Sequence, residues 1–308
     1  MHPMSELDLS IIVISWNTRE LLRACLDSVR SYTDGIRYEI IVIDNASRDG
    51  SVDMLTSHYP YVRLLTNEKN EGFSKANNKG IRKASGEFIL LLNSDTSIRE
   101  NVFFELVSLM RENAEVGVCS PAILSMSGEV QTMRTWNMTP FQSFRRIINC
   151  YRIQGERRSQ GDGDKRVSDA DIVAGVCFMV RRQVFDEVGL LDENYFMYNE
   201  EDDFCRRTRK KGWRIAYVPS VRIYHHRGGS YRDKATRLMV KIKTYESDLY
   251  FFRKHYHWLT VWLLKSTYKG VIAIKFIMLL TRYGISLFRD GVIRQELKSN
   301  WKLFLLKE

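Results

Sequence analysis

The chain has 308 residues, of which 44% are hydrophobic and 27% are charged, so it can form one large globular domain or a domain with an appendage. Its formal net charge is +10, but residues 1–205 are net acidic and residues 206–308 are strongly basic. This asymmetry predicts a polyanionic partner, and the lack of a nucleic-acid recognition motif argues against DNA or RNA in that role.

Short apolar segments alternate with helical patterns along the first third of the chain. Apolar runs at residues 10–15, 38–43, 61–65 and 88–92 each end at polar residues, as strands buried on both faces do. Apolar residues recur at helical spacing from Leu21 to Val29, and residues 72–84 predict a further helix. The alternation predicts an α/β fold with a Rossmann-like, mostly parallel sheet flanked by helices.

Two of these strands end in a lone aspartate, Asp44 after the second and Asp95 after the fourth. Ligands bind outside the carboxyl ends of the strands in such sheets, so both carboxylates should open onto one crevice. One can hold the base or ribose of a nucleotide, and the other can hold a divalent cation and a diphosphate. For Asp95 the alternative is that it only caps the following helix.

Two more groups of polar residues lie in the second half of the chain. Glu200 to Asp203 place four carboxylates in a row before a predicted helix, where they also favour the helix dipole without any chemical role. His225 and His226 end a strand-like run, and the glycines that follow allow a ligand to approach the backbone closely.

Several motifs together resemble those of the family-2 inverting glycosyltransferases with a GT-A fold, in the rhamnosyltransferase-like branch. Their order and spacing agree over roughly residues 9 to 230, which makes the set specific although no single motif is. The motifs are IIVISWN at 11–17, VIDNASRDGS at 42–51, NEGFSKANNKG at 70–80, LLNSDT at 91–96, GLLDE at 189–193, YNEEDDFCR at 198–206 and HHRGGS at 225–230.

The resemblance implies a role for each matched position. Glu201 falls where the family has its catalytic aspartate. The metal ligands would be Asp95 and His225, and the acceptor would meet Gly175, Glu200 and Asp203. The donor nucleotide would meet Ser15, Asn17, Asp44, Asn45, Gly72, Asn77, Asn93, Asp95 and Arg227.

The match departs from the family pattern at two places. Glutamate replaces the catalytic aspartate at position 201, so Glu200 or Asp202 could serve as the base instead. The metal motif is often Asp-x-Asp, whereas Asn93, Ser94 and Asp95 offer one charged ligand. If the register of the histidine motif shifts by one, His226 replaces His225. The resemblance still implies a divalent metal, Mg²⁺ or Mn²⁺.

The function implied is inverting transfer of a sugar from a nucleotide-diphosphate donor to a saccharide or lipid-linked saccharide hydroxyl, in cell-surface polysaccharide synthesis. The donor would be a dTDP- or UDP-sugar: dTDP-rhamnose, or alternatively a UDP-hexose. From other classes, a sugar nucleotidyltransferase would not need the distant acidic run and usually carries a glycine-rich phosphate loop, which is absent here. An inactive saccharide-binding protein would not need all of Asp44, Asp95, Glu201 and His225.

The basic C-terminal region mixes cations with large apolar residues. Lys265, Lys269 and Lys275 interrupt residues 258–280, which argues against a spanning helix. The pattern favours a helix lying on an anionic membrane surface; the alternative is packing on the catalytic domain or on a second subunit, so an oligomer is possible. The side chains expected to enter the interface are Trp258, Trp262, Leu263, Ile272, Phe276 and Leu279.

The expected organisation is a glycosyltransferase domain at residues 1–232, followed by a helical, basic amphipathic segment at 233–308. Within the domain the donor half would end near residue 125. The five scattered cysteines indicate reduced thiols in a cytosolic protein, and the short polar start gives no signal sequence. Together these features predict a cytoplasmic protein, peripheral on the inner face of the plasma membrane.

Overall fold

A computed structural model describes residues 6–131, 139–140, 167–226, 234–285 and 301. These residues form two compact units. The first contains residues 6–131 and 167–226, and the second contains residues 139–140, 234–285 and 301. The metal, base and donor candidates that the structure describes all lie in the first unit.

The first unit begins with four parallel strands separated by helices, as the apolar runs predict. The elements in order are β1 (Leu9–Ser15), α1 (Arg19–Tyr32), β2 (Tyr38–Asp44), α2 (Ser51–His58), β3 (Val62–Thr66), α3 (Phe73–Ile81) and β4 (Phe88–Asn93). The strands lie side by side in the order β3, β2, β1, β4. Chain order reverses beside β1, which is where ligands bind in such sheets.

The remainder of the sheet is mixed, which corrects the expectation of a mostly parallel one. Its elements are β5 (Thr96–Ser97), α4 (Val102–Glu112), β6 (Val116–Leu124), β7 (Ser168–Asp169), β8 (Cys177–Arg181), α5 (Arg182–Val188), α6 (Glu200–Lys210) and β9 (Arg214–His225). Strand β8 runs antiparallel to both β4 and β6, whereas β9 runs parallel to β6. The short strands β5 and β7 pair antiparallel with β9. The predicted α/β architecture with flanking helices is confirmed.

Alternate residues of the strands supply two separate hydrophobic clusters, one on each face of the sheet. Ile11 and Val13 of β1 lie in the cluster that contains residues of α1, α2 and α4. Ile12 lies in the cluster that contains residues of α3, α5 and α6. Burial on both faces explains why these strands are apolar throughout and show no alternation. Polar side chains in this part of the sheet are therefore concentrated at the strand ends.

The second unit contains two long helices, α7 (Lys234–His255) and α8 (Trp258–Ile285). They are joined in part by a buried hydrogen bond that the Tyr268 hydroxyl donates to the Asp248 carboxylate, at 2.7 Å. The Tyr245 and Tyr268 rings also meet edge to face. Across the stretches of chain that the structure describes, no helix is both long and apolar enough to cross a membrane.

Candidate active site

The strand register aligns the polar ends of β1, β2 and β4 at one edge of the sheet. Ser15 pairs with Asp44, and Ile14 pairs with Asn93. Behind this edge the Ser15, Thr18 and Ser94 hydroxyls form a buried chain, with oxygen separations of 3.1 and 3.0 Å. The alignment brings together three of the predicted donor residues and adds two that the sequence did not indicate, Thr18 and Ser94.

Asp44 lies at the centre of this edge and is 1% exposed. Its Oδ2 accepts the backbone N–H of Ser47 at 2.9 Å, while its Oδ1 has no hydrogen-bond partner among the described atoms. A buried carboxylate oxygen left unsatisfied is costly, so Asp44 Oδ1 is available to accept a hydrogen bond from water or from a ligand. The neighbouring turn is joined to the β1 end by Asn17, which accepts the Arg48 N–H at 2.8 Å and donates its own N–H to Ser47.

Asn45 uses its whole side chain to hold the loop at residues 67–72. Its Nδ2 donates to Asn70 and to the Gly72 carbonyl, and its Oδ1 accepts from Asn67 and from the Glu71 N–H. An asparagine side chain offers two donors and one oxygen with two lone pairs, so four bonds use its full capacity. Asn45 therefore shapes the wall of the site.

Helix α3 anchors the segment at residues 189–199, which leads to the acidic helix α6. The Phe73 N–H donates to the Phe196 carbonyl at 2.6 Å, and the Asn78 side chain exchanges hydrogen bonds with the Leu191 main chain. Gly72 has φ +83°, and a Cβ there would lie 2.4 Å from the Phe196 carbonyl oxygen. Asn77 is buried in α3, where it donates to the Phe73 carbonyl.

The acidic helix begins with an unusual backbone and with two adjacent carboxyls, of which Glu200 is buried and Glu201 is partly exposed. Tyr198 and Asn199 both have left-handed φ, near +68° and +67°. Glu200 is 6% exposed, and burial, with the nearby charges of Glu201 and Asp202, raises its pKa well above the ordinary range. After burial, the charge of Glu201 is the largest cause of this pKa shift, because each of two neighbouring carboxyls disfavours ionisation of the other.

Asp203 has a different environment from its neighbours. Its carboxylate is fully buried and accepts the Arg207 Nε–H at 2.8 Å. The other guanidinium nitrogens of Arg207 donate to the Val188 and Leu190 carbonyls. Asp203 thus ties α6 to the end of α5 through Arg207, which is a structural task.

A chain of contacts connects the β4 end with the acidic helix. The Asn93 N–H donates to the Val176 carbonyl at 3.0 Å, which ties β4 to the residue before β8. Gly175, the residue before Val176, faces Glu201: a Cβ at Gly175 would lie 3.8 Å from the Glu201 Cδ. The two regions that the sequence assigned to donor and acceptor are therefore joined at β4 and β8.

His225 at the end of β9 meets Asp95 across the β5 pairing. Its Nε2 lies 3.2 Å from the Asp95 Oδ1, and both side chains are largely buried. The His226 N–H donates to the Asp95 carbonyl oxygen at 2.9 Å, and this hydrogen bond holds the two segments together. Gln131 holds His225 from the other side: its Oε1 lies 2.9 Å from Nδ1, and its Nε2 donates to the His225 carbonyl at 2.9 Å.

This pair fits a divalent cation. The Asp95 Oδ1 and the His225 Nε2 are 3.2 Å apart, close enough for one metal ion to bind both. Carboxylate and imidazole, together with phosphate oxygens, are suitable ligands for Mn²⁺ or Mg²⁺. Within the described part of the chain there is no group of three or more His, Cys, Asp or Glu suited to a metal. The remaining ligands would come from the donor diphosphate and from water.

Strained backbone also concentrates in these loops. Among the described residues, left-handed φ at non-glycine positions occurs only at Asn17, Ala46, Tyr198 and Asn199. All four follow strands or precede the acidic helix, at the edge just described. Such conformations cost about 1–3 kcal/mol each and cluster at functional sites.

Two groups of residues complete the comparison with the predicted site. Arg227, like the Gly228 and Ser230 of its motif, lies outside the described residues. The sequence did not indicate Thr18, Ser94, Asn78 or Gln131. Ser94 and Asn78 fall inside the matched motifs, whereas Gln131 lies in no motif and its role depends on a contact 94 residues away along the chain.

The chain is similar to several named proteins. It is 28% identical over 224 residues to the low-salt glycan biosynthesis hexosyltransferase Agl10 of Haloferax volcanii, covering 71% of this chain and 67% of that protein. It is 26% identical over 292 residues to the N-acetylglucosaminyl-diphospho-decaprenol L-rhamnosyltransferase of Mycobacterium tuberculosis, covering 87% and 91%. It is 25% identical to the rhamnosyltransferase WbbL of Escherichia coli K12, covering 75% and 89%.

Two solved structures share the fold. GalNAc-T7 with UDP, GalNAc and Mn²⁺ aligns at a TM-score of 0.56 with 21% identity, over 71% of this chain but only 44% of that one. The mannosyltransferase PcManGT of Pyrobaculum calidifontis, with GDP-Man and Mn²⁺, aligns at 0.53 with 15% identity, over 98% and 86%. Residues 10–189, more than half of the chain, match the profile of glycosyl transferase family 2, and the chain belongs to that family as a glycosyltransferase with a GT-A fold.

Proposed function

We propose that this glycosyltransferase moves a sugar from a nucleotide-diphosphate donor to a saccharide or lipid-linked saccharide hydroxyl, with inversion at the anomeric carbon. The observation that carries the proposal is the contact chain from Asn93 through Val176 and Gly175 to Glu201. It sets one candidate base beside the strand end that leads into Asp95. A single displacement with one base inverts the reacting centre.

The donor nucleotide would bind at the β1 and β2 ends. The unsatisfied Asp44 Oδ1 would accept a hydrogen bond from the base or the ribose, beside Ser15 and Asn17. Because Asn45 is fully engaged with the 67–72 loop, we assign it to positioning, together with Gly72 and Asn77. Asn93, at the β4 end, would lie beside the sugar or the diphosphate.

The diphosphate would lie against Asp95 and His225, with Arg227 as a further cation from outside the described residues. A bound Mg²⁺ or Mn²⁺ would stabilise the negative charge that gathers on the leaving diphosphate. This role is supported by the facing arrangement of the two side chains. The Mn²⁺ in the complexes of GalNAc-T7 and PcManGT belongs to those proteins and is consistent with the choice of ions.

Glu201 would accept the proton of the attacking hydroxyl. General base catalysis needs a carboxylate within hydrogen-bond reach of that hydroxyl, and the Glu201 carboxyl lies next to Gly175, which has no side chain. Burial and the charge of Glu201 raise the pKa of the neighbouring Glu200, so Glu200 ionises less readily and we favour Glu201 as the base. Asp203 would contribute to acceptor binding by holding α6 through Arg207.

For the donor sugar we favour dTDP-rhamnose. The support is similarity to two named rhamnosyltransferases; the match to the mycobacterial one extends over 91% of its length. A UDP-hexose is the second candidate, since a hexosyltransferase is comparably similar. The name of the mycobacterial relative also supports a lipid-linked saccharide as acceptor, within cell-surface polysaccharide synthesis.

We further propose that residues 233–308 attach the catalytic domain at 1–232 to the inner face of the plasma membrane. Helix α8 exposes a broad apolar face, with Trp258 68% and Trp262 57% exposed. Such a face beside lysines suits an anionic interface. The face differs in part from the predicted one: Leu279 is buried, Ile272 and Phe276 are half-buried, and Ile274 and Ile277 are exposed instead.

A donor screen tests the proposal. Thermal unfolding with dTDP-rhamnose, UDP-glucose and GDP-mannose, each with Mg²⁺ or Mn²⁺, should show one specific stabilisation, of about 2.7 kcal/mol at 100 times Kd. Asp95→Ala should remove the metal-dependent part and leave the melting temperature of the free protein unchanged. No stabilisation by any of the three donors would overturn the donor assignment, and equal stabilisation of the Asp95→Ala protein would overturn the metal role.

A further inference from the structure

Gln131 makes two hydrogen bonds to the same residue, one to each end of His225. The Gln131 Nε2 donates to the His225 carbonyl at 2.9 Å, so its Oε1 is the atom turned to the imidazole Nδ1, also at 2.9 Å. An amide oxygen can only accept a hydrogen bond. Nδ1 must therefore carry the proton.

The position of this proton determines the chemistry of the other ring nitrogen. In a neutral imidazole only one nitrogen is protonated, so a proton on Nδ1 leaves the Nε2 lone pair exposed. That lone pair points at the Asp95 Oδ1, 3.2 Å away, which is also an acceptor. Two acceptors facing each other repel, so the contact is favourable only with a proton on Nε2 or with a metal cation bound by both groups.

We propose that Gln131 is a positioning residue that holds His225 in the Nδ1–H tautomer, so that Nε2 is a preformed metal ligand beside Asp95. Outer hydrogen bonds of this kind orient ligating histidines in metal sites. The inference rests on the metal role proposed for Asp95 and His225. The backbone around Gln131 is itself fixed, because its N–H donates to the Ile123 carbonyl at 2.8 Å and Leu124 bridges to Val130.

Three variants separate the two hydrogen bonds. Gln131→Met keeps the length of the side chain and removes both bonds. Gln131→Glu keeps the acceptor for Nδ1–H and removes the donor to the His225 carbonyl. Gln183→Met is the matched control: it makes the same change on the exposed face of α5, where Gln183 donates to Glu187.

The first measurement is the tautomer of His225 in metal-free protein, read from ¹⁵N–¹H correlation of the ring nitrogens at a pH where the ring is neutral, with the signal assigned by its loss in His225→Asn. We expect Nδ1–H in the wild type, in Gln131→Glu and in Gln183→Met, and a mixture of tautomers in Gln131→Met. A single Nδ1–H tautomer in Gln131→Met would overturn the inference.

The second measurement is Mn²⁺ affinity, followed by electron paramagnetic resonance of free Mn²⁺ in the presence of dTDP and, separately, of UDP, each corrected for Mn²⁺ bound by the nucleotide alone. Gln131→Met should bind Mn²⁺ about 10–100-fold more weakly than the wild type, the usual effect of losing such a hydrogen-bond partner. Gln131→Glu, which keeps the acceptor for Nδ1–H, should bind Mn²⁺ as the wild type does. Equal affinity in the wild type and Gln131→Met would overturn the role of Gln131 at the metal. A wild type that binds no Mn²⁺ while the tautomer still depends on Gln131 would instead refute the proposed metal site.

Discussion

Gly72→Ala should disturb the segment that leads to the proposed base. The expected loss of stability can be estimated by comparison with Gly189, which has the same backbone conformation. Gly72 has φ 83° and ψ −178°, and Gly189 has φ 84° and ψ 177°. This region is essentially restricted to glycine, and any side chain there costs about 1–3 kcal/mol. Both alanine variants should lose that much stability.

The surroundings of the added methyl group differ between the two. Nothing lies within 4 Å of a Cβ at Gly189, whereas a Cβ at Gly72 would lie 2.4 Å from the Phe196 carbonyl oxygen. Ordinary contact begins at 3.4 Å, so Phe196 must retreat by about 1 Å. The Phe73–Phe196 hydrogen bond would then break, which costs about 0.5–1.5 kcal/mol more.

Glu201 lies five residues beyond Phe196 in the sequence, so the same displacement should reach the proposed base. A misplacement of about 1 Å can lower a rate by about 10²-fold. Urea unfolding and sugar-transfer kinetics should therefore show a mainly thermodynamic defect in Gly189→Ala, and in Gly72→Ala a larger one with a strong loss of kcat. Equal stability and equal kcat in the two variants would refute this account of the Phe196 contact.

Three further outcomes are expected. Glu201→Gln should lower kcat by about 10²–10⁴-fold, while calorimetry should show an unchanged donor affinity. If Glu201→Gln is active and either Glu200→Gln or Asp202→Asn is inactive, the residue changed in the inactive variant is the base. The raised pKa of Glu200 means that the folded state holds its proton more tightly than the unfolded state, whose pKa is near 4.5. Stability from this group is thus complete below pH 4.5 and is lost as the pH rises through the folded pKa; urea unfolding of Glu200→Gln should depend less on pH, and an unchanged profile would contradict the assignment. Helix α8 should bind anionic vesicles more tightly than neutral ones and release them as salt is added, with Trp262→Ala weaker in co-sedimentation; equal binding to both vesicle types would remove the electrostatic component.

The sequence predicted the parallel part of the sheet well because each strand there is buried on both faces and carries an unbroken apolar run. The antiparallel placement of β8 between β4 and β6 was not predicted, since it depends on pairing between segments far apart in the chain. At the site, the strand-end rule predicted that Asp44 and the segment leading into Asp95 lie near the β1 end; the register pairs Ser15 with Asp44 and Ile14 with Asn93. The rule gave no information on how the side chains bond to one another: the four hydrogen bonds that join Asn45 to the 67–72 loop follow from the folded structure alone.

Helix boundaries show the same division between local and distant causes. The predicted helix at 72–84 is observed as Phe73–Ile81. It begins after Gly72, whose φ of 83° and ψ of −178° are not helical, and it is followed by a turn in which the Lys83 and Ala84 N–H groups donate to the Gly80 carbonyl. Gln131 could not be found from the sequence, because nothing near it distinguishes it from a surface residue. Its partner His225 becomes adjacent only when β9 pairs beside β6 and β5.

The anchoring of residues 189–199 on α3 has a consequence for how acceptor choice can change. The anchor holds the main chain of Leu191, the carbonyl of Phe196 and one side chain, that of Glu193, which accepts from the Asn78 amide at 3.0 Å. Substitutions elsewhere in the segment leave these hydrogen bonds in place and can alter what the segment presents to the acceptor that we propose. The attachment is thus separate from the part of the segment that solvent reaches, so libraries for new acceptors should vary Asn194, Met197 and Tyr198 and leave Gly72, Asn78 and the buried Tyr195 unchanged.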